Sequence, residues 1–268
     1  MNSSLPIPVL PVLSRASVLV ERIGAEGWLV RRSDAAAQRW VVLCHGLNDP
    51  GRQLAINLVN AAVNENWWVL AIPASREYDA DVALLHGVIS STGQQAHCGR
   101  DGIPHFYLLG CGEGAVVARR YTSHHPQRVI GLALLPGADF AVASADGAGV
   151  TGPADGAYGL LRTPMQVYLP LPAKRASGDA LVATTAAGWV RGVESWLNQL
   201  RRMACRRGIR LDCSVVGVAD NITLPPRDYL QRVTTLAALV GFFQRLPARG
   251  DDPRPLASAG SSALKFLL

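Results

Sequence analysis

The sequence lacks the patterns that would place it in several large classes of protein. It has no uninterrupted apolar run of about 18 residues, so it predicts no helix that could span a bilayer. Its five cysteines are an odd number, and no two of them form a C-x-x-C pair. The cysteines are Cys44, Cys98, Cys111, Cys205 and Cys213. Neither a disulfide framework nor a zinc site is indicated, so we predict a reducing compartment and neither a metal nor a cofactor.

The amino-terminal stretch MNSSLPIPVLPVLSRAS also lacks the basic start and continuous apolar segment of a signal peptide. A cytoplasmic location is therefore the expectation, although a signal peptide removed before residue 1 would be compatible with the sequence. We interpret residues 1–26 as an N-terminal extension and residues 247–268 as a C-terminal tail.

Basic residues exceed acidic ones, and the formal net charge is +6. The densest basic run is RRMACRRGIR, residues 201–210, at the predicted end of a helix. Cations at that end complement the helix dipole and the unpaired carbonyls, so a solvated helix end is the simpler interpretation. A polyanion-binding surface is the alternative. No aromatic side chains are interleaved with these arginines, so nucleic acid is not the expected partner.

What the sequence does contain is an alternation of short apolar runs and longer amphipathic segments over 268 residues. This order is typical of an α/β protein with a parallel sheet and crossover helices. We predict strands at residues 27–32, 39–45, 67–73, 105–111, 129–136, 165–171 and 211–218. We predict helices at residues 53–66, 80–96, 113–124, 186–206 and 227–246. One domain then covers residues 27–246, with a long excursion at 137–164 that is rich in Gly, Ala and Asp.

Two motifs give the chain a resemblance to a known superfamily. The first is VVLCHGLNDPGRQL, a strand that ends in His45-Gly46, and the second is YLLGCGEGAVVARRYTSHHPQRVIGLALLPG. Both resemble the α/β-hydrolase superfamily, and the resemblance extends from about Gly27 to Leu246. It implies a three-layer α/β-hydrolase-like fold with a mostly parallel central sheet. It also implies a cleft with an oxyanion hole near His45, Gly46, Leu47 and Glu113.

The second motif resembles a nucleophile elbow, G-x-S-x-G, in which a serine occupies a strained turn between strand and helix. Here the central position is Gly112. A glycine relieves the backbone strain of that turn but cannot attack an ester or amide. The neighbouring Cys111 is the alternative nucleophile, although a shift of one residue points its side chain away from the cleft.

The other two triad positions also differ from the superfamily. The resemblance implies a histidine after the last strand, but no histidine follows His125, and Asp220 or Asn221 stands at that place. The position of the acid is occupied by Pro172 and the residues after it, while Asp139 and Asp179 lie elsewhere. An aspartate with a pKa of about 3.9 is a weak base at neutral pH.

The sequence therefore predicts a pseudoenzyme with a degenerate triad, which binds an unknown small ligand or protein partner. The cleft mouth is the expected site, formed by residues 47–52, Gly112-Glu113, the excursion and Asp220-Asn221. One alternative is an active esterase or acyltransferase that uses Cys111 or whose elbow serine has been replaced. A second alternative is a polyanion-binding module that uses the arginines of residues 201–210.

Overall fold

The computed structural model describes residues 18–24, 27–33, 39–62, 65–95, 105–137, 140, 159–170, 180–218 and 226–247. The strands are β1 (Val18–Ile23), β2 (Gly27–Arg32), β3 (Arg39–Gly46), β4 (Trp67–Ala74), β5 (Phe106–Gly112), β6 (Val129–Pro136), β7 (Met165–Pro170) and β8 (Cys213–Val218). The helices are α1 (Gly51–Ala61), α2 (Tyr78–Gln95), α3 (Gly114–His124), α4 (Ala180–Arg206), α5 (Pro226–Tyr229) and α6 (Val233–Gln244).

The eight strands form one sheet in the order β1-β2-β4-β3-β5-β6-β7-β8. Strand β2 pairs antiparallel with β1 and β4, and the pairs from β4 through β8 are all parallel. The chain leaves β3 towards β4 on one side and then crosses back to β5 on the other. Such a reversal opens a crevice at the carboxyl ends of the strands. The prediction of a mostly parallel central sheet is confirmed.

The central strands are buried on both faces, which explains why their sequences are continuously apolar rather than alternating. Every residue of β3 and of β5 is buried. One face of the sheet packs against α2, α3 and α4, and the other packs against α1 and α6. Helices on both faces give the three layers that the sequence predicts.

Several element boundaries differ from the prediction. Strand β1 lies inside the stretch interpreted as an N-terminal extension, and its pairing with β2 makes residues 18–23 part of the sheet. The single helix predicted at 227–246 is two helices, α5 and α6. Helix α4 begins at Ala180, six positions before the predicted start at 186. Residues 248–268 and all of the excursion except residues 137, 140 and 159–164 lie outside the described residues.

Candidate functional site

The turn after β5, which the sequence predicts to be an elbow, has an unusual backbone conformation. Gly112 ends β5 with a φ of +60°, a left-handed conformation that side chains rarely adopt. A Cβ atom at this position would have no heavy atom within 4 Å. The turn therefore has room for a serine side chain, and only the backbone conformation opposes one.

The two flanking glycines, Gly110 and Gly114, allow the backbone segments around the turn to pack closely. A Cβ at Gly110 would lie 2.5 Å from the Cα of Ala115, and a Cβ at Gly114 would collide with the backbone of Cys44. Helix α3 therefore starts in direct contact with the end of β3. This contact brings Glu113 next to the His45-Gly46 turn.

Glu113 directs its carboxylate onto the end of β3. Its Oε2 lies against Gly46, where a side chain at position 46 would collide with it. Its Oε1 accepts a hydrogen bond of 3.1 Å from the guanidinium of Arg76, which follows β4 and has a φ of +80°. The carboxylate also lies at the amino-terminal end of α3, where a negative charge is favourable. Glu113 thus bridges the ends of β3, β4 and β5.

A second carboxylate, that of Asp49, also contacts this turn. Its Oδ2 accepts a hydrogen bond of 2.9 Å from the backbone N–H of Gly46. Its Oδ1 accepts one of 3.2 Å from Arg227 of α5. This contact ties the loop after β3 to the first described element after β8.

His45 is enclosed by its surroundings and exposes only 3% of its surface. Its Nδ1 lies 2.8 Å from the carbonyl oxygen of Gly46, so Nδ1 carries the hydrogen and Nε2 does not. Nε2 has no hydrogen-bond partner among the residues that the structure describes, and it packs against Gly51. Burial lowers the pKa of His45, which keeps the ring neutral at pH 7.

The side chain of Cys111 does not reach the surface. It is fully buried in the apolar layer between the sheet and α1 and α6. Burial, with a smaller contribution from Asp49 and Glu113, raises the pKa of its thiol well above the usual value. The thiolate, which is the reactive form, is therefore disfavoured.

The structure brings some of the predicted site residues together and does not describe others. His45, Gly46, Gly112 and Glu113 meet at the ends of β3 and β5, and the side chain of Leu47 beside them is exposed. Five of the predicted candidates lie outside the described residues, and they are Asp139, Pro172, Asp179, Asp220 and Asn221. Within the described ranges, no cluster of three or more His, Cys, Asp or Glu side chains could hold a metal ion.

Sequence reasoning included Asp49 only within the predicted cleft mouth, residues 47–52, and it did not single out Arg76 or Arg227. Asp49 stands in the turn LNDPG, and an Asp-Pro pair before a helix favours such a turn, so a local signal existed. Arg76 and Arg227 carry no such signal. Their partners are 37 and 178 residues away in the sequence, so only the fold brings them to the site.

Comparisons with solved structures identify similar folds. Poly(aspartic acid) hydrolase-1 from Sphingomonas sp. KT-1 superposes with a TM-score of 0.50 at 12% identity, covering 82% of this chain and 97% of that one. An α/β-hydrolase enzyme from the metagenome of lagoon sediments at Mar Chica, Morocco, has a TM-score of 0.49 at 12% identity, covering 85% and 98%. No protein-family model and no curated protein sequence matches the chain.

The sheet order, the helices on both faces and the similarity to the Sphingomonas hydrolase at a TM-score of 0.50 define the class: the chain has the α/β-hydrolase fold that its motifs predict. At such low identity the similarity establishes the fold and not the reaction. In the part of the chain that the structure describes, no helix combines the length and the apolar character needed to cross a membrane.

Proposed function

We propose that this protein is a non-catalytic α/β-hydrolase-like protein that acts by binding a ligand or a protein partner. The observation that carries the proposal is the elbow, where Gly112 retains the left-handed backbone but offers no nucleophile. Covalent catalysis in this fold needs a nucleophile at that turn, an adjacent base and donors for an oxyanion. The remaining contacts of the cleft argue against each of these in turn.

The charges around Gly46 are unfavourable for an oxyanion. Glu113 and Asp49 both place carboxylate oxygens against this glycine. A carboxylate about 4 Å from an oxyanion would repel it by about 4 kcal/mol at an effective dielectric constant of about 20. One donor of an oxyanion hole typically contributes about 3–4 kcal/mol. Because Arg76 and Arg227 already pair with the two carboxylates, they compensate only part of this repulsion.

No group in the described cleft is suited to act as the general base. His45 is the nearest imidazole, but its Nε2 faces Gly51 and its low pKa makes it a poor proton acceptor. The position at which the superfamily places its histidine holds Asp220 or Asn221 in this sequence. A carboxylate there would not donate a proton to a leaving group at neutral pH.

Binding at the cleft mouth remains compatible with these contacts. Leu47 is 54% exposed, and the side chain of Arg76 is 66% exposed. Binding sites commonly combine apolar and charged side chains, because the charged group orients the ligand. We therefore keep the cleft mouth as the proposed binding site, with Glu113 acting as the group that closes the former oxyanion hole.

The proposal is tested by measuring hydrolysis of short-chain p-nitrophenyl esters. We expect the rate with purified protein to equal that of a buffer control, for the wild type and for Cys111→Ala alike. Turnover that Cys111→Ala abolishes would replace the proposal with a displaced-thiol hydrolase. Turnover that survives this substitution would reveal a nucleophile elsewhere and would also contradict the proposal.

A further inference from the structure

Strand β8 ends the sheet, because it pairs only with β7 in the strand order. One side of its backbone is therefore left without a neighbouring strand among the described residues. Its side chains are also open to solvent, since Ser214, Val215 and Gly217 are all exposed. Val215 is one of the few large apolar side chains that the surface leaves exposed, at 39%.

An exposed edge of this kind is normally protected against pairing with another chain. Charged side chains, prolines and bulges are the usual protection. Strand β1, at the opposite edge, follows this rule, since Glu21 and Arg22 are exposed and Glu21 pairs with Arg31 at 2.8 Å. Strand β8, with the sequence CSVVGV, has no charge and no proline. It is thus the edge that remains competent to accept a further strand.

The segment leading into β8 is strongly basic. Five arginines lie at the end of α4 and in the connection to β8, and all of them are exposed: Arg201, Arg202, Arg206, Arg207 and Arg210. Arg201 is close enough to the start of β8 to lower the pKa of Cys213 against the larger effect of burial. Asp212 is the acidic residue of the same connection. The unprotected edge and the positive surface are therefore contiguous.

We infer that β8 and the adjoining arginines form a docking surface for an extended acidic peptide segment of a partner protein. The peptide adds a ninth strand to the sheet, and its backbone pairs with the free edge of β8, a known mode of peptide recognition. Its carboxylates pair with the arginines. Arginine is well suited to this role because its guanidinium binds a carboxylate through two parallel hydrogen bonds.

Two other occupants fit these features less well. A nucleic acid would use the arginines but not the unpaired backbone, and no exposed aromatic side chain is available among residues 190–218 to stack on its bases. A second copy of this chain would pair through its own β8, CSVVGV, which carries no carboxylate for the arginines to bind. An acidic peptide uses both the backbone edge and the charge.

The surface is tested by fluorescence anisotropy with the labelled peptide (Glu-Val)6 as the probe. We expect binding that weakens as salt increases. We expect at least about tenfold weaker binding for (Glu-Val)6 with every amide N-methylated, which keeps the charge and removes the backbone donors. The variant Arg202→Glu/Arg206→Glu, which reverses two charges, should also bind the peptide at least about tenfold more weakly.

The matched control is Arg22→Glu/Arg32→Glu, which makes the same change of charge on β1 and β2, at the opposite end of the sheet from β8. It should bind the probe within about twofold of the wild type, a change of less than about 0.5 kcal/mol. Circular dichroism checks that both variants fold. If the N-methylated peptide bound as tightly as (Glu-Val)6, charge alone would account for the binding and the inference would be overturned. Stronger competition by (dT)20, self-association through β8, or a loss confined to the control variant would also overturn it.

Discussion

At the scale of single residues, the glycines of the GCGEG turn have different physical roles. Gly112 is required by its backbone conformation, because its φ is +60° and nothing crowds the position of a Cβ. Gly114 is required by packing, because any side chain there collides with the backbone of Cys44. A change at Gly112 therefore leaves the packing contacts of Gly114 in place.

This difference predicts two distinct outcomes for small substitutions. Gly112→Ser should fold and lose about 1–3 kcal/mol of unfolding free energy, the usual cost of a left-handed backbone with a side chain. Gly112→Ala should lose the same amount, since the added hydroxyl has open space. The matched control Gly114→Ala should lose clearly more. Urea denaturation measures all three, and equal losses for Gly112→Ala and Gly114→Ala would contradict the assigned roles.

Gly112→Ser should also remain inactive towards p-nitrophenyl esters, alone and combined with Glu113→Gln. A serine needs an adjacent base to become a nucleophile, and the nearest imidazole, His45, is buried against Gly51. Initial rates of the two variants and the wild type provide the comparison. An efficient esterase made by either substitution would mean that a working base is present in the cleft.

Two histidines with a lowered pKa, His45 and His125, make the stability of the protein depend on pH. The ring of His125 stacks on that of His86 with centroids 4.5 Å apart. Burial first, and then His86, His124 and Arg128, lower the pKa of His125, as burial does for His45. The unfolded chain binds protons on these two histidines more readily than the folded protein does. The neutral rings therefore contribute their full stabilisation above a pH of about 6.5, and this stabilisation is lost as the pH falls.

We therefore expect a lower unfolding free energy at pH 5.5 than at pH 7.5, both values lying near the range where histidines titrate. His125→Asn should reduce this difference. The control His105→Asn, at an exposed position before β5, should leave it unchanged. The measurement is urea denaturation at the two pH values. A difference that His125→Asn does not alter would contradict the role of the stacked pair.

At the scale of elements, the buried side chain of Arg39 connects helix α6 to the sheet. Arg39, at the start of β3, donates hydrogen bonds to the Tyr107 hydroxyl and to the carbonyl oxygen of Phe243 in α6. It also forms an ion pair of 3.3 Å with Glu65. A cation at the end of a helix satisfies carbonyls that have no partner within the helix. These contacts join two strands, one loop and α6.

Arg39→Met should therefore destabilise the protein by about 3 kcal/mol, because the substitution leaves buried partners without their cation. The control Glu21→Gln breaks an exposed pair and should cost less than about 1 kcal/mol. Hydrogen exchange of α6 amides should accelerate in Arg39→Met and not in Glu21→Gln. Similar effects of the two substitutions would show that Arg39 does not hold α6.

At the scale of the whole molecule, the sequence predicts the buried strands well and the edges poorly. Strands β2 and β6 have the predicted bounds because their apolar runs end sharply at charged or turn residues. Strand β1 escapes detection because VLVERI is half-buried and carries two charges. The motif HGLNDPG and the GCGEG turn, which the sequence predicts to lie together, meet where Glu113 contacts Gly46. The bridges from Glu113 to Arg76 and from Asp49 to Arg227 depend on tertiary placement and are not predictable from local sequence.

The central claim is that the α/β-hydrolase fold of this chain holds no activated nucleophile. Its most direct test is intact-mass spectrometry of the native protein after incubation with a fluorophosphonate, which reacts with activated serines and requires no knowledge of a substrate. We predict that the mass stays unchanged, as it should in a heat-denatured control. A stoichiometric adduct on one residue of the native protein, absent from the denatured control, would contradict the account.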